Sequence, residues 1–218
     1  MIRRLLFEDL AGTFAPDPEA VIDAAATDPR YLERVPGLLA LLTAAGTERY
    51  HRFLAVQALA SWGCGAVYPV VAATAEAGRR SPWLGVVRDL AGRDRTFPEL
   101  AGAVAEGRRH TAGTAAEPAR VAALTALVAL GDELFFDWQL AYAADRPEAA
   151  DALAEVVDRG LDRTDEADFD RVLQLAGLCA VLGRHDHARA VPLAERLLRG
   201  DSRLTVRVHL RPVVAIGA

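Results

Sequence analysis

Between Phe53 and Ala75 the chain runs for 23 residues without a charged side chain, and a segment that apolar must be buried in protein or cross a bilayer. Its length alone admits a membrane span. Gln57, Ser61, Gly63, Gly65 and Pro69 divide it, however, into two shorter apolar pieces, each the length of a buried core helix. The expectation is two packed helices and no membrane segment. The rest of the chain has the same character: Ala, Leu, Val and Arg dominate, and the apolar/polar alternation of a half-buried strand is nearly missing. An all-α fold follows.

Helix-sized segments are predicted at 2–10, 18–26, 31–45, 48–62, 66–77, 97–106, 118–130, 133–144, 147–161, 165–182, 186–198 and 202–216. Gly, Pro, Asp or Ser separates them, with Pro118 just inside one start and Gly131 just past the same helix's end. At 218 residues, this is one large domain or one short repeat array, able to bury about 70% of its unfolded surface without staples. Cys64 and Cys179 lie far apart in apolar surroundings and read as small core hydrophobes. The first residues resemble the start of a signal peptide, but Glu8 and Asp9 interrupt the apolar run, and the plain expectation is a cytoplasmic protein.

Glycine anchors expose an internal resemblance. Residues 52–63, Arg-Phe-Leu-Ala-Val-Gln-Ala-Leu-Ala-Ser-Trp-Gly, align without a gap to 120–131, Arg-Val-Ala-Ala-Leu-Thr-Ala-Leu-Val-Ala-Leu-Gly. Residues 35–46, 172–183 and 206–217 follow the same apolar template more loosely, with Leu42, Cys179 and Val213 at the position of Leu59. Small residues at Ala55, Ala58, Ala123 and Ala126 would let a neighbouring helix approach closely, and each terminal glycine could end its helix in the left-handed conformation. Arg52 with Ala58, Leu59 and Gly63 resembles the first helix of a HEAT repeat, with 66–77 as the second. That resemblance covers about two-thirds of the chain and implies a single HEAT-like domain over 1–218, an irregular α-solenoid of antiparallel helix pairs. The anchors are spaced 17, 68, 52 and 34 residues apart, where regular HEAT repeats run roughly 40–47, so some pairs are decayed or inserted. The segment 78–97 is too long for a simple connector and reads as an inserted helix or a functional loop, and 108–117 reads as a mobile linker.

Chemistry-bearing clusters are few. His185 and His187 flank Asp186, but side chains at i and i+2 point about 200° apart on a helix, so Asp186 is expected to cap the next helix and no metal site is expected. Asp132, Glu133 and Asp137 interleave with Phe135, Phe136 and Trp138. Asp132 is expected to cap a helix that buries Phe135, Phe136 and Leu140 and exposes Glu133 and Asp137 on one face. Trp83, Arg88, Asp89, Arg93, Asp94 and Arg95 form the other concentration of charged and aromatic residues, in a segment braced by Trp83 and Phe97. No phosphate loop, nucleophile elbow or zinc pair is present, and the absence of lysine excludes Schiff-base chemistry.

These features point to a protein-binding module that is not an enzyme, needs no cofactor and binds a protein partner through Trp83, Arg88, Asp89, Arg93, Asp94, Glu133, Asp137, Trp138 and Tyr142. Residues 52–63 together with 93–97, Arg-Asp-Arg-Thr-Phe, also resemble bacterial HEAT-like proteins of polymorphic-toxin systems, which implies a toxin-neutralising immunity protein. A competing resemblance is to HEAT-like alkylpurine glycosylases, which use Trp, Asp and Arg in a concave cleft; Trp138 with Asp137, or Trp83 with Asp89, would imitate that site. Against it, all 25 basic residues are arginine, a bias that a GC-rich genome produces on its own, and 30 acidic residues leave a net charge of -5. Nucleic acid is therefore not the expected partner.

Overall fold

A computed structural model describes residues 1–214, and every regular element among them is helical. In chain order the α-helices are α1 (Ile2–Leu6), α2 (Pro18–Ala24), α3 (Val35–Thr43), α4 (Arg49–Ser61), α5 (Tyr68–Ala77), α6 (Thr96–Thr111), α7 (Glu117–Val128), α8 (Asp137–Ala143), α9 (Ala150–Leu161), α10 (Arg171–His185), α11 (His187–Gly200) and α12 (Leu204–Leu210). Short 3₁₀ turns precede α3 and α9 and follow α5. Asp17, Asp170 and Asp186 cap α2, α10 and α11, each accepting a hydrogen bond from a backbone N–H of the first turn. Proline occupies the first turn of α2, α3, α5 and α7, where its missing donor costs nothing.

The charge-free stretch becomes α4 and α5, and no helix among the described residues is long and apolar enough to cross a membrane. Phe53 through Ala60 are all buried, so α4 is covered on every side. Trp62 Nε1 donates to the Ile22 carbonyl at 2.9 Å, tying α2 to the end of α4, and Tyr68 Oη donates to the Ala60 carbonyl at 2.8 Å. From α4 onward, contacts alternate. Helices α4, α6, α8, α10 and α12 pack against one another in succession, and α5, α7, α9 and α11 do the same. Buried apolar side chains from Leu6 to Val213 form one cluster.

Of the six template residues, Ala55, Ala58, Leu59, Ala123 and Leu127 are fully buried, whereas Ala126 is half-buried at the rim of a surface depression beside Gly78 and Leu130. The anchoring glycines differ in role. Gly63 has the expected left-handed φ of 73°, but Gly131 does not: it is a point of close approach, where an added Cβ would lie 2.8 Å from Leu178 Cδ1. In the last template copy Val206 and Val213 are buried, and only its end, including Gly217, lies outside the described residues.

Several expected boundaries move. The first helix stops at Leu6, because Asp9 draws residues 7–15 into a tight hairpin closed by a bridge between Glu8 and Phe14. Residues 108–111 belong to α6 and are not a linker. At its end Thr111 Oγ1 donates to Glu117 at 2.6 Å, and Glu117 and Glu148 hold the fully buried Arg120 at 2.8 and 3.0 Å. Asp132 is not a helix cap. It is fully buried and bound by Arg159 at 2.6 Å and Arg163 at 3.2 Å. Burial opposes its ionisation, yet the two guanidinium groups outweigh burial and hold its carboxyl below the usual range. The helix it was expected to cap, predicted from residue 133, begins four residues later, at Asp137.

Candidate functional site

The segment 85–95 is a second hairpin, with the geometry of the first. Asp89 Oδ1 accepts from the N–H groups of Ala91 and Arg93, both at 2.9 Å, as Asp9 Oδ1 accepts from Ala11 and Thr13, both at 2.8 Å. Gly12 and Gly92 supply the left-handed turn residue, with φ of 84° and 80°. The sequence repeats with it: Asp-Leu-Ala-Gly occurs at 9–12 and 89–92, and Pro-Glu at 18–19 and 98–99, without a gap between copies. Each hairpin thus feeds a helix that carries a glutamate at the same place, Glu19 in α2 and Glu99 in α6.

Most charged residues of 85–95 are spent on the loop itself. Asp94 accepts from the N–H groups of Gly85 and Thr96, Arg88 donates to the Gly92 carbonyl, and Arg93 Nε pairs with Asp89 at 2.9 Å. The Arg93 N–H donated to it holds the Asp89 carboxyl below its ordinary range. Trp83 is half-buried, its ring set edge-on to Phe53 at 6.1 Å. Leu90, at the tip, is fully exposed.

The two segments singled out in the sequence meet at Arg95, the residue ahead of α6. Its guanidinium donates to Asp137 Oδ2 at 2.9 Å and Gln139 Oε1 at 2.8 Å and lies 3.5 Å from Glu99. Arg93 also stacks over the Phe135 ring at 5.4 Å. Asp137 has a φ of 56°, the one non-glycine residue in the left-handed region among the described residues. Gln174 supports this turn, accepting from the Phe136 N–H at 2.8 Å and donating to the carbonyls of Gly131 and Leu134. Phe136 and Leu140 are buried as expected and Phe135 only half so. Glu133 pairs with Arg163 at 3.2 Å, away from the helix face it was expected to share with Asp137.

Trp138 and Tyr142 project from α8. They are 61% and 44% exposed and pack edge-to-face at 5.9 Å. Trp138 stands between two clefts, the first richer in carboxylates and the second more apolar. On one side, a polar cleft of about 500 Å³ spans α2, α4, α6 and α8 and includes Glu19, Asp23, Gln57, Glu99 and Glu106. On the other, a cleft of about 380 Å³ over α8 and α10 is mostly apolar, with Phe135, Ala141, Leu173, Leu178 and Val181. Tyr142 Oη donates to Glu106 at 3.0 Å, fixing the ring at the polar wall. Glu19 is exposed at the rim of this cleft, and partial desolvation there, reinforced by the neighbouring Glu99 carboxylate, raises its carboxyl above its usual range.

The glutamates and Gln57 were not singled out from the sequence, although the duplicated Asp-Leu-Ala-Gly and Pro-Glu would have pointed to Glu19 and Glu99. Of the histidine cluster, His185 pairs with Asp145 at 2.8 Å and Asp186 caps α11. In comparisons with models of known families, curated proteins and solved structures, the chain matches none.

Proposed function

We propose that the chain is a HEAT-like α-solenoid and a non-enzymatic binding module whose α4-α6-α8-α10 row receives a protein partner. The proposed role is a toxin-neutralising immunity protein acting in the cytoplasm on a basic target. The alternating packing of two helix rows supports the solenoid reading. The partner reading is carried by one observation: Trp138, largely exposed, stands at the border of an acidic and an apolar cleft. A large aromatic between charge and apolar surface is the composition of binding hot spots. Carboxylates along the polar cleft attract a basic protein and repel a phosphate backbone.

The test is a binding assay against the products of adjacent genes, run beside one against methylated duplex DNA. Salt-sensitive capture of a basic protein, weakened at least tenfold by Trp138→Ala with the melting temperature unchanged, is the expected outcome. Release of a base from the DNA would transfer the case to the glycosylase reading.

A further inference from the structure

We propose that the cavity between the second hairpin and the segment ahead of α10 binds a small aromatic carboxylate, held by Arg79 and Arg88 at the mouth and by Phe97, Phe135 and Phe169 below. This goes beyond the partner-binding reading above and does not depend on it.

Four stretches distant in sequence build the cavity: the turn after α5, the hairpin leading into α6, the turn ahead of α8 and the segment ahead of α10. Its volume of about 620 Å³ falls within the roughly 300–1,000 Å³ of small-molecule sites. Phe97 and Leu134 are buried in its floor. Phe135 and Phe169 are half-buried, their ring centroids 6.2 Å apart, so each leaves part of its ring to the cavity. Rings placed in this way take a further ring in an edge-to-face or offset contact.

Three arginines and four aspartates line the cavity, and most of them are already engaged. Asp94 accepts from the N–H groups of Gly85 and Thr96, Asp137 pairs with Arg95, Asp170 with Arg203, and Arg93 with Asp89. Arg88 and Arg79 are different. Arg88 donates to the Gly92 carbonyl and meets no carboxylate among the described residues. Arg79 donates to the Glu133 carbonyl at 2.6 Å, and its one carboxylate neighbour, Asp168, stands at 3.5 Å, beyond the roughly 2.7–2.9 Å of a charge-assisted bond. Both members of that pair are at least half exposed, so their attraction is weak and readily exchanged for another anion. Two guanidinium groups thus keep free donors at the mouth of an aromatic cavity, and one aspartate competes for them.

The chemistry of the lining selects the ligand. A guanidinium presents its donors as a planar fork that matches the two oxygens of a carboxylate, so the mouth favours an anion over an amide or an amine. The floor offers rings and aliphatic carbons and favours a planar apolar body over a hydrated one. An aromatic carboxylate joins the two: its ring meets the phenylalanines while its charge stays at the wetter mouth, displacing Asp168 from Arg79.

The experiment titrates the full chain with 2-naphthoate, 2-naphthamide, 2-naphthylmethylamine and cyclohexanecarboxylate, with binding read by ligand-observed nuclear magnetic resonance and calorimetry. The amide keeps the rings and loses the charge, the amine reverses the charge, and the cyclohexane acid keeps the charge and loses the rings. Naphthoate should bind at least tenfold more tightly than the other three. Arg79→Gln with Arg88→Gln should bring naphthoate down to the level of the amide, and Leu84→Trp, which fills the cavity from its wall, should block all four. Asp168→Asn removes the internal competitor and should tighten naphthoate severalfold, a gain that damage to the fold does not produce. Arg199→Gln with Arg207→Gln, on α11 and α12, removes the same charge elsewhere and should leave binding nearly unchanged. Melting curves for each variant separate lost recognition from lost folding. Failure of naphthoate to bind, equal binding of the amide or the amine, an Arg79/Arg88 variant that binds like the parent chain, or an Asp168 variant that binds no more tightly than it, overturns the proposal.

Discussion

Arg95 grips Asp137 at 2.9 Å across 42 residues of sequence, joining the end of one hairpin to the start of α8 at the residue where the backbone turns left-handed. Because the Arg95 side chain is largely buried and Asp137 about half exposed, the pair is partly shielded from water. A double-mutant cycle with Arg95→Gln and Asp137→Asn should give a coupling of about 0.5–1 kcal/mol, above a typical exposed pair but well short of a buried one. Additive losses in urea unfolding would show that the contact fixes nothing.

The φ of 56° at Asp137 makes a second prediction. Aspartate and asparagine tolerate this region, glycine is at ease there, and a β-branched residue is not. Asp137→Gly should therefore stay within about 1 kcal/mol of Asp137→Asn, whereas Asp137→Val should fall below Asp137→Asn by about 1–2 kcal/mol. Equal stability of the asparagine and valine variants would contradict the strained turn.

Packing along the helix rows is tested by two alanines that share a place in the repeat template. Ala58 is fully buried in α4, and a carboxylate there has neither water nor a partner, so Ala58→Glu should cost roughly 3 kcal/mol or more. Ala126 opens onto a surface depression, where a glutamate can turn toward solvent. Ala126→Glu should cost under about 1 kcal/mol.

Acid stability should depend on Glu117. The hydrogen bonds that Arg120 donates lower its carboxyl to about 2, against partial burial that opposes them. A carboxyl depressed in the folded state stabilises above its ordinary value and loses that contribution as pH falls toward the folded one. Denaturant midpoints should therefore drop between about pH 4.5 and about pH 2 in the parent chain, and by less in Glu117→Gln. At neutral pH, Glu117→Gln combined with Glu148→Gln leaves Arg120 buried and unpaired and should cost about 3–5 kcal/mol.

Much of the helical plan was legible because it is written locally. Proline in a first turn, Asp186 ahead of α11 and apolar periodicity in α4 and α7 act within a few residues of themselves. Asp132 was misread for the same reason: a lone aspartate before a helical pattern resembles a cap, and its true partners, Arg159 and Arg163, stand 27 and 31 residues away. The first hairpin was misread as helix and the second left open between helix and loop, because one side chain, Asp9 or Asp89, specifies each turn without any strand-like alternation. The aromatic half of the site was visible as a cluster in the sequence. Its acidic half was not, since Glu19, Gln57, Glu99 and Glu106 come from three helices and look like ordinary surface residues until those helices pack.

The alternating packing of the helices also bears on how the chain is made. The main helix contacts join elements no more than three helices apart in chain order, so little burial waits on distant sequence. Low contact order of this kind favours fast folding from local nuclei. On the ribosome, α4 can be enclosed by α3 and α6 while residues after Thr111 are still being synthesised, and each later pair finds its docking surface already formed.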